Sequence, residues 1–286
     1  MSKTILYAKN SYELLKILTN NPGTEIVGGC TRIENLPQKF ISIRGIKDLS
    51  QITRHERYID VGPGATLTEI INIGQNHLPQ ILYEALISIA NPQIRNIATI
   101  GGNICSKDRR LTLFAPLLAL DAKLEFKNQL ETKTESIRKF KGIPPKFILS
   151  NIRIPIDNAE LSIFRRIGHE HLISEKSASF AFLADTEKNS ILKVHLAFAG
   201  PFAFHSKDFE NQLIGQRLPL SQKDINEIQN LAAAEFQKAA TDQMISDVMR
   251  QQFLNLTRYS FEQLTEKKKG IRLNGKWGFL YDCLIN

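Results

Sequence analysis

The sequence predicts an α+β fold, and three features carry that expectation. A strand, a helix and two more strands form a small β-α-β-β unit at the N-terminus. Beyond residue 122 the strand patterns follow one another in a run. The two longest helical patterns then come last. Strands in runs with helices at the ends argue for antiparallel sheets rather than a doubly wound parallel one.

Taken in order, residues 5–8 read as a strand, and Ser11 as the N-cap of a helix over 12–19 with Leu14, Leu15 and Leu18 on one side. Pro22-Gly23 marks a turn, residues 25–27 a second strand ending in Gly28-Gly29, and 40–43 a third. Residues 58–61 begin another strand. Pro63-Gly64 turns the chain, and Thr66 or Thr68 caps a helix reaching Ile73. A further helix is expected over 81–89. The apolar run 111–120 contains Pro116, which predicts a buried helix that is kinked or broken. Strands are expected over 122–126, 146–154, 161–166, 177–183 and 191–199. In the last, apolar residues alternate with Lys193 and His195, the pattern of a half-exposed antiparallel strand. Helices over 222–240 and 244–264 follow. The expected division is an N-terminal unit 1–57, a middle unit 58–158, a C-terminal domain 159–264 with an antiparallel sheet and helices, and a tail 265–286 of unassigned role.

Composition narrows the function classes. Hydrophobic content of 42% and charged content of 23% describe an ordinary soluble globular chain with a sizeable core. No apolar run approaches the roughly 20 residues that span a bilayer, and the N-terminus has no apolar signal region. Cys30, Cys105 and Cys283 are odd in number and widely spaced. That suits a reducing, cytoplasmic setting and leaves this chain without the roughly four grouped ligands of an iron–sulfur cluster. The net charge of +8 is dispersed over Lys107-Asp-Arg-Arg110, Arg165-Arg166 and Lys267-Lys-Lys269, without interleaved aromatics. This is no nucleic-acid platform. A phosphate-bearing ligand or an acidic protein partner accounts for the charge.

The chemistry-bearing features are two glycine pairs. Gly101-Gly102 lies in Asn91-Pro-Gln-Ile-Arg-Asn-Ile-Ala-Thr-Ile-Gly-Gly-Asn103, and Gly28-Gly29 in Glu25-Ile-Val-Gly-Gly-Cys-Thr-Arg-Ile33. Paired glycines let the main chain approach a ligand closely, and their N–H groups can face an anion such as a diphosphate. Neither has the G-x-G-x-x-G spacing of a dinucleotide fold or the Gly-Lys-Ser/Thr of a P-loop. Two convergent pairs point to one bulky phosphate-bearing cofactor; the plain alternative is two structural turns. His169 and His171 share a strand face but have no evident third ligand, so no metal site is expected. Cys30 reads as a small buried thiol.

These same segments resemble a known family. Pro92-Gln-Ile-Arg-Asn-Ile-Ala-Thr-Ile-Gly-Gly-Asn103 is similar to the second FAD motif in the flavin (medium) subunit of molybdenum hydroxylases, enzymes of the xanthine dehydrogenase and carbon monoxide dehydrogenase type. Val27-Gly-Gly-Cys-Thr-Arg32 resembles the first. Gly62-Pro-Gly-Ala-Thr-Leu67, Ala115-Pro-Leu-Leu-Ala-Leu-Asp-Ala122 and Ser246-Asp247 with Arg250 resemble the intervening and following segments in the same order. The resemblance spans roughly residues 3–264.

It implies a fold of the vanillyl-alcohol-oxidase type, with FAD between the N-terminal and middle units and a C-terminal domain over it. It implies FAD contacts at Val27, Gly28, Gly29, Cys30, Thr31, Arg32 and Ile33, and at Ile100, Gly101, Gly102 and Asn103. Ala90 would lie near the flavin, and Arg165 would stand where the family carries a lysine. The implied role is electron transfer from the [2Fe–2S] clusters of one partner, with a molybdenum-cofactor subunit as another, to NAD or another acceptor. Purines or other N-heterocycles are the implied substrates of the complex, and no catalytic residue is required of this chain. Two departures stand out. The family's cofactor-contacting Asp falls at Thr112 here, after a basic stretch 107–110, and its acidic segment near the flavin becomes His169-Glu-His-Leu-Ile-Ser-Glu175. They keep two other readings open: a non-catalytic structural or assembly paralogue, and a stand-alone flavin oxidoreductase.

Overall fold

The computed structural model describes residues 3–33, 35–156, 158–169, 172–240 and 245–268. The N-terminal unit is a parallel sheet in the order β1-β3-β2, formed by β1 (Thr4–Leu6), β2 (Glu25–Val27) and β3 (Lys39–Ser42). Helix α1 (Ser11–Asn20) covers it through Leu14 and Leu15, which pack with Ile41. The cap of α1 is Asn10 rather than Ser11: the Asn10 side chain accepts from the Glu13 N–H at 2.8 Å. The Ser11 N–H donates instead to the Asp48 carboxylate, so Ser11 serves as the first helical residue. The parallel strands β2 and β3 end side by side, with the Ile43 N–H donating to the Val27 carbonyl at 3.0 Å. The first glycine pair emerges from that end.

The middle sheet is antiparallel throughout, in the order β4-β5-β8-β6-β7. Its strands are β4 (Ile52–Arg54), β5 (Tyr58–Val61), β6 (Lys123–Lys127), β7 (Thr132–Ser136) and β8 (Ile148–Pro155). β4 lies ahead of the boundary expected at 57/58 yet belongs to this sheet. Helices α2 (Leu67–Ile71), α3 (Gln80–Ile87), α4 (Pro92–Arg95), α5 (Ile100–Cys105) and α6 (Phe114–Ala119) lie between β5 and β6 in the chain. Residues of α2, α3, α5 and α6 share one core with the sheet residues Ile59, Val61, Leu124 and Ile152. Thr66 is the cap of α2, in a reciprocal capping box with Glu69. Pro116 neither kinks nor breaks α6. The helix begins only at Phe114, so Pro116 sits in its first turn, where an N–H has no partner within the helix.

The C-terminal domain pairs β9 (Leu161–Ile167), β10 (Ala178–Glu187), β11 (Ser190–Ala199) and β12 (Ala203–His205) in the order β12-β11-β10-β9, all antiparallel. α7 (Lys207–Leu213), α8 (Gln222–Ala239) and α9 (Asp247–Lys268) follow. Side-chain parity splits β10: Phe180 and Phe182 join the core with Phe236, Phe253 and Phe261 of α8 and α9, while Ala181 and Leu183 face the core of the middle unit. The rings of Phe236 and Phe253 stack at 4.1 Å. The same two-sided burial corrects the half-exposed reading of β11, where Leu196, Ala197, Phe198 and Ala199 are all buried. The middle unit covers the face that a lone antiparallel sheet would show to water. Helix α9 continues four residues into the segment expected as a tail. His171, Met244, Trp277, Phe279, Tyr281 and Cys283 lie outside the described residues.

Candidate cofactor site

The first glycine pair rests on the chain just ahead of the second. A Cβ on Gly28 would stand 2.5 Å from Thr99 Oγ1, and one on Gly29 would stand 1.9 Å from the Ile97 carbonyl oxygen. Only glycine lets the loop after β2 lie directly on residues 97–99. The next residue, Cys30, takes a left-handed conformation (φ +56°), uncommon for a residue with a Cβ, and its thiol donates to the Gly28 carbonyl at 3.6 Å. The N–H groups of Gly28, Gly29, Cys30 and Thr31 make no hydrogen bond among the described residues. They form a short row of available donors on a glycine loop, the arrangement that suits a diphosphate.

The second pair differs. Gly101-Gly102 is no free turn but the opening of α5. The Ile100 N–H donates to the Ala65 carbonyl (3.1 Å) and the Gly101 N–H to the Pro63 carbonyl (2.9 Å). The Gly102 N–H is held by Thr99 Oγ1 (3.1 Å), and that of Asn103 by the Thr99 carbonyl (3.1 Å). All four N–H groups expected to face an anion are therefore engaged within the protein. The glycines serve close packing instead: a Cβ on Gly101 would stand 2.6 Å from both Cβ and the carbonyl oxygen of Pro63. Asn103 is likewise internal, its Oδ1 accepting from the Leu113 N–H at 3.2 Å.

Ala90 is the other predicted site residue with a left-handed backbone (φ +43°). Arg95 clamps it, with Nη1 donating to the carbonyls of Ile89 (2.7 Å), Ala90 (2.9 Å) and Ile87 (3.2 Å). Strain of this kind persists only where its surroundings impose it, and it concentrates at binding sites. Val27 is buried beneath the first loop, whereas Arg32 and Ile33 are exposed at its end.

The segment after α5 holds what the sequence reading missed. Thr112, at the position of the absent acid, is buried. An acid nevertheless stands beside the first loop: Asp108 pairs with Arg110 (Nη1 to Oδ1, 3.2 Å) and with Arg32 (Nη2 to Oδ2, 3.7 Å). Arg109 turns inward, donating to the Ile104 carbonyl at 3.0 Å and lying 4.3 Å over the Phe114 ring. Its burial lowers its pKa. Burial pushes the Cys105 thiol up to about 12, so it stays protonated, unlike a redox-active thiolate.

Arg165 is not brought to this site. It shares a face of the C-terminal sheet with Phe180 and lies 5.8 Å from the Tyr259 ring of α9. His169 is exposed at the end of β9. A cleft of about 420 Å³ opens between the N-terminal and middle units, lined in part by Arg44, Lys47, Gly64, Thr66, Thr68 and Asn96. The sequence reading singled out neither Arg44 nor Lys47, which carry no motif.

Comparison with known proteins gives one reading. Residues 2–157 match the family described as the FAD binding domain in molybdopterin dehydrogenase. A putative xanthine dehydrogenase FAD-binding subunit of Escherichia coli K12 is 32% identical over 152 residues, 50% of this chain and 52% of that protein. The alpha subunit of the 6-hydroxypseudooxynicotine dehydrogenase complex of Paenarthrobacter nicotinovorans is 30% identical over 195 residues, 64% of this chain and 65% of its own length. The chain thus spans about half the length of the xanthine dehydrogenase subunit and two thirds of the second relative. In fold, the chain matches a subunit of a Cu,Mo-CO dehydrogenase with a TM-score of 0.76 at 18% identity, covering 95% of this chain and 99% of that one. Quinoline 2-oxidoreductase from Pseudomonas putida 86 gives 0.74 at 16% identity, covering 95% and 98%. The first glycine loop packed on residues 97–99, its row of donors after β2, and the family match agree: this chain belongs to the family of FAD-binding domains of molybdopterin dehydrogenases.

Proposed function

We propose that the chain is the FAD-binding electron-transfer subunit of a molybdenum hydroxylase, receiving electrons from the [2Fe–2S] clusters of one partner and passing them to NAD or another acceptor. The observation that carries this reading is the glycine loop packed on residues 97–99, in which the N–H groups of Gly28, Gly29, Cys30 and Thr31 make no hydrogen bond among the described residues. Those donors, with Arg32 beside them, would hold the diphosphate of FAD. Gly101 would let α5 pack against Pro63, and the Ala90 turn would border the ring system. Bound FAD supplies exchange of one or two electrons; the protein supplies position and electrostatics.

In this reading the chain contributes no general acid, base or nucleophile, and a partner's molybdenum centre performs the hydroxylation. We favour an N-heterocyclic substrate for the complex, the class that the name of one relative, a nicotinate dehydrogenase, carries; other relatives are named as aldehyde oxidases. Among the described residues no helix is long and apolar enough to cross a membrane. We place the complex in the cytoplasm on the odd and widely spaced cysteines.

The visible spectrum of the purified chain tests the cofactor. Flavin absorbance, present as isolated or restored by added FAD, is the expected result. A chain that takes up no FAD would leave the structural-paralogue reading. Turnover of an N-heterocycle by the isolated chain would instead make it a stand-alone oxidoreductase.

A further inference from the structure

We propose that Arg110 is a diphosphate-binding residue of this site and that Asp108 is its positioning residue. The inference rests on the FAD reading above. Asp108 receives two guanidinium groups from two different parts of the chain: Arg32 at the end of the first glycine loop and Arg110 two residues on. The Arg110 N–H also donates to Asp108 Oδ1 at 3.1 Å, and the Asp108 N–H to Ser106 Oγ at 3.2 Å. The carboxylate is therefore held from its own segment; it hydrogen-bonds the Arg110 guanidinium and pairs more loosely with Arg32.

The charge count is two cations to one anion, an excess that one phosphate-bearing ligand would balance. Arg110 has an unmet need as well. Its Nε is buried and has no hydrogen-bond partner among the described residues, a costly state for a buried donor. A planar guanidinium with one edge on Asp108 and another donor unanswered fits a phosphate oxygen, which guanidinium groups bind in forked geometry. The neighbouring Arg109 cannot take this role, since it is turned onto Phe114. Lys107 is exposed, and its ammonium forms no ion pair with Asp108 among the described residues. The basic stretch 107–110 thus divides into one inward anchor, one ligand-facing cation and the acid that aims it.

The test is titration of the full chain, freed of flavin, with FAD and separately with ADP in competition. The variants are Arg110→Met, Arg110→Lys and Asp108→Asn, with circular dichroism to confirm folding. One charge-assisted hydrogen bond lost should weaken FAD by about ten- to a hundredfold in Arg110→Met. ADP should weaken by the same factor, because the two ligands share the diphosphate. Arg110→Lys, which keeps the charge but not the fork and is the milder change should Arg110→Met misfold, should recover part of the affinity. Asp108→Asn should weaken FAD in the wild-type background and have little further effect beside Arg110→Met. Unchanged affinities in Arg110→Met, or a loss for FAD with none for ADP, would overturn the proposal while leaving the FAD reading intact. A wild-type chain that binds neither FAD nor ADP would remove the FAD reading itself.

Discussion

Gly28-Gly29 and Gly101-Gly102 look alike in the sequence and do different work in the structure. Each pair is glycine because a Cβ would collide with main-chain or Thr99 atoms. Around Gly28-Gly29 the N–H groups make no hydrogen bond among the described residues. Around Gly101-Gly102 they are taken up by Pro63, Ala65 and Thr99. The first pair keeps its donors available and rests on residues 97–99; the second joins the loop at residues 62–66 to α5. A glycine pair thus signals close approach, and what approaches it must be read from its neighbours.

The comparison can be broken or sharpened by substitution. The largest effect is expected for Gly29→Ala, whose Cβ would stand 1.9 Å from a backbone oxygen that cannot rotate away. The loop must lift from residues 97–99, costing about 3 kcal/mol of stability and taking FAD uptake with it. Thermal melting and FAD titration would record both losses; wild-type affinity in this variant would refute the contact. Gly101→Ala comes next, with its Cβ 2.6 Å from Pro63, and should cost about 2 kcal/mol while the folded fraction binds FAD nearly as well as wild type. Cofactor loss without a drop in melting temperature would mean that the second pair is itself a ligand site, and the contrast would fail.

Thr99→Ala removes the cap that holds the Gly102 N–H and should cost about 1 kcal/mol, read as a lower melting temperature that Thr99→Ser restores. The smallest effect separates Cys30 from Cys105. Alkylation with iodoacetamide, mapped by peptide, should mark Cys30 slowly, since burial raises its pKa. Cys105, held at about 12, should react far more slowly through neutral and mildly alkaline pH, because the thiolate is the nucleophile. Added FAD should protect Cys30 and leave Cys105 unaffected; equal protection of both would blur the distinction between the loops.

Much of the fold was legible because local rules decide it. The strands at 25–27, 58–61 and 161–166, the Thr66 cap and the long α8 follow from periodicity and capping, which act over a few residues. Arg165 was placed beside the flavin by resemblance alone. Strand parity already put it on the face of Leu161, Ile163 and Ile167, which the structure buries against α8 and α9. Asp108 was hidden for another reason: its partner Arg32 lies far away in the chain, and no spacing rule links them. The two-sided burial of β11 could not be read either, since each face needs a different neighbour to cover it.

The sequence by itself determined where the chain must come close to something: at Gly28-Gly29 and Gly101-Gly102, where the absence of a side chain is a local and unambiguous fact. It also determined most of the strands and the long helices, though not β4, β7 or β12, and, through the ordered motifs, the family. Only the tertiary structure decided which of the two pairs keeps its donors free, that Asp108 and not residue 112 supplies the acid beside the first loop, and that Arg165 points to α9. Hydrogen bonds and ion pairs between distant segments settle these points, and such pairings exist only once the sheets have brought the segments together.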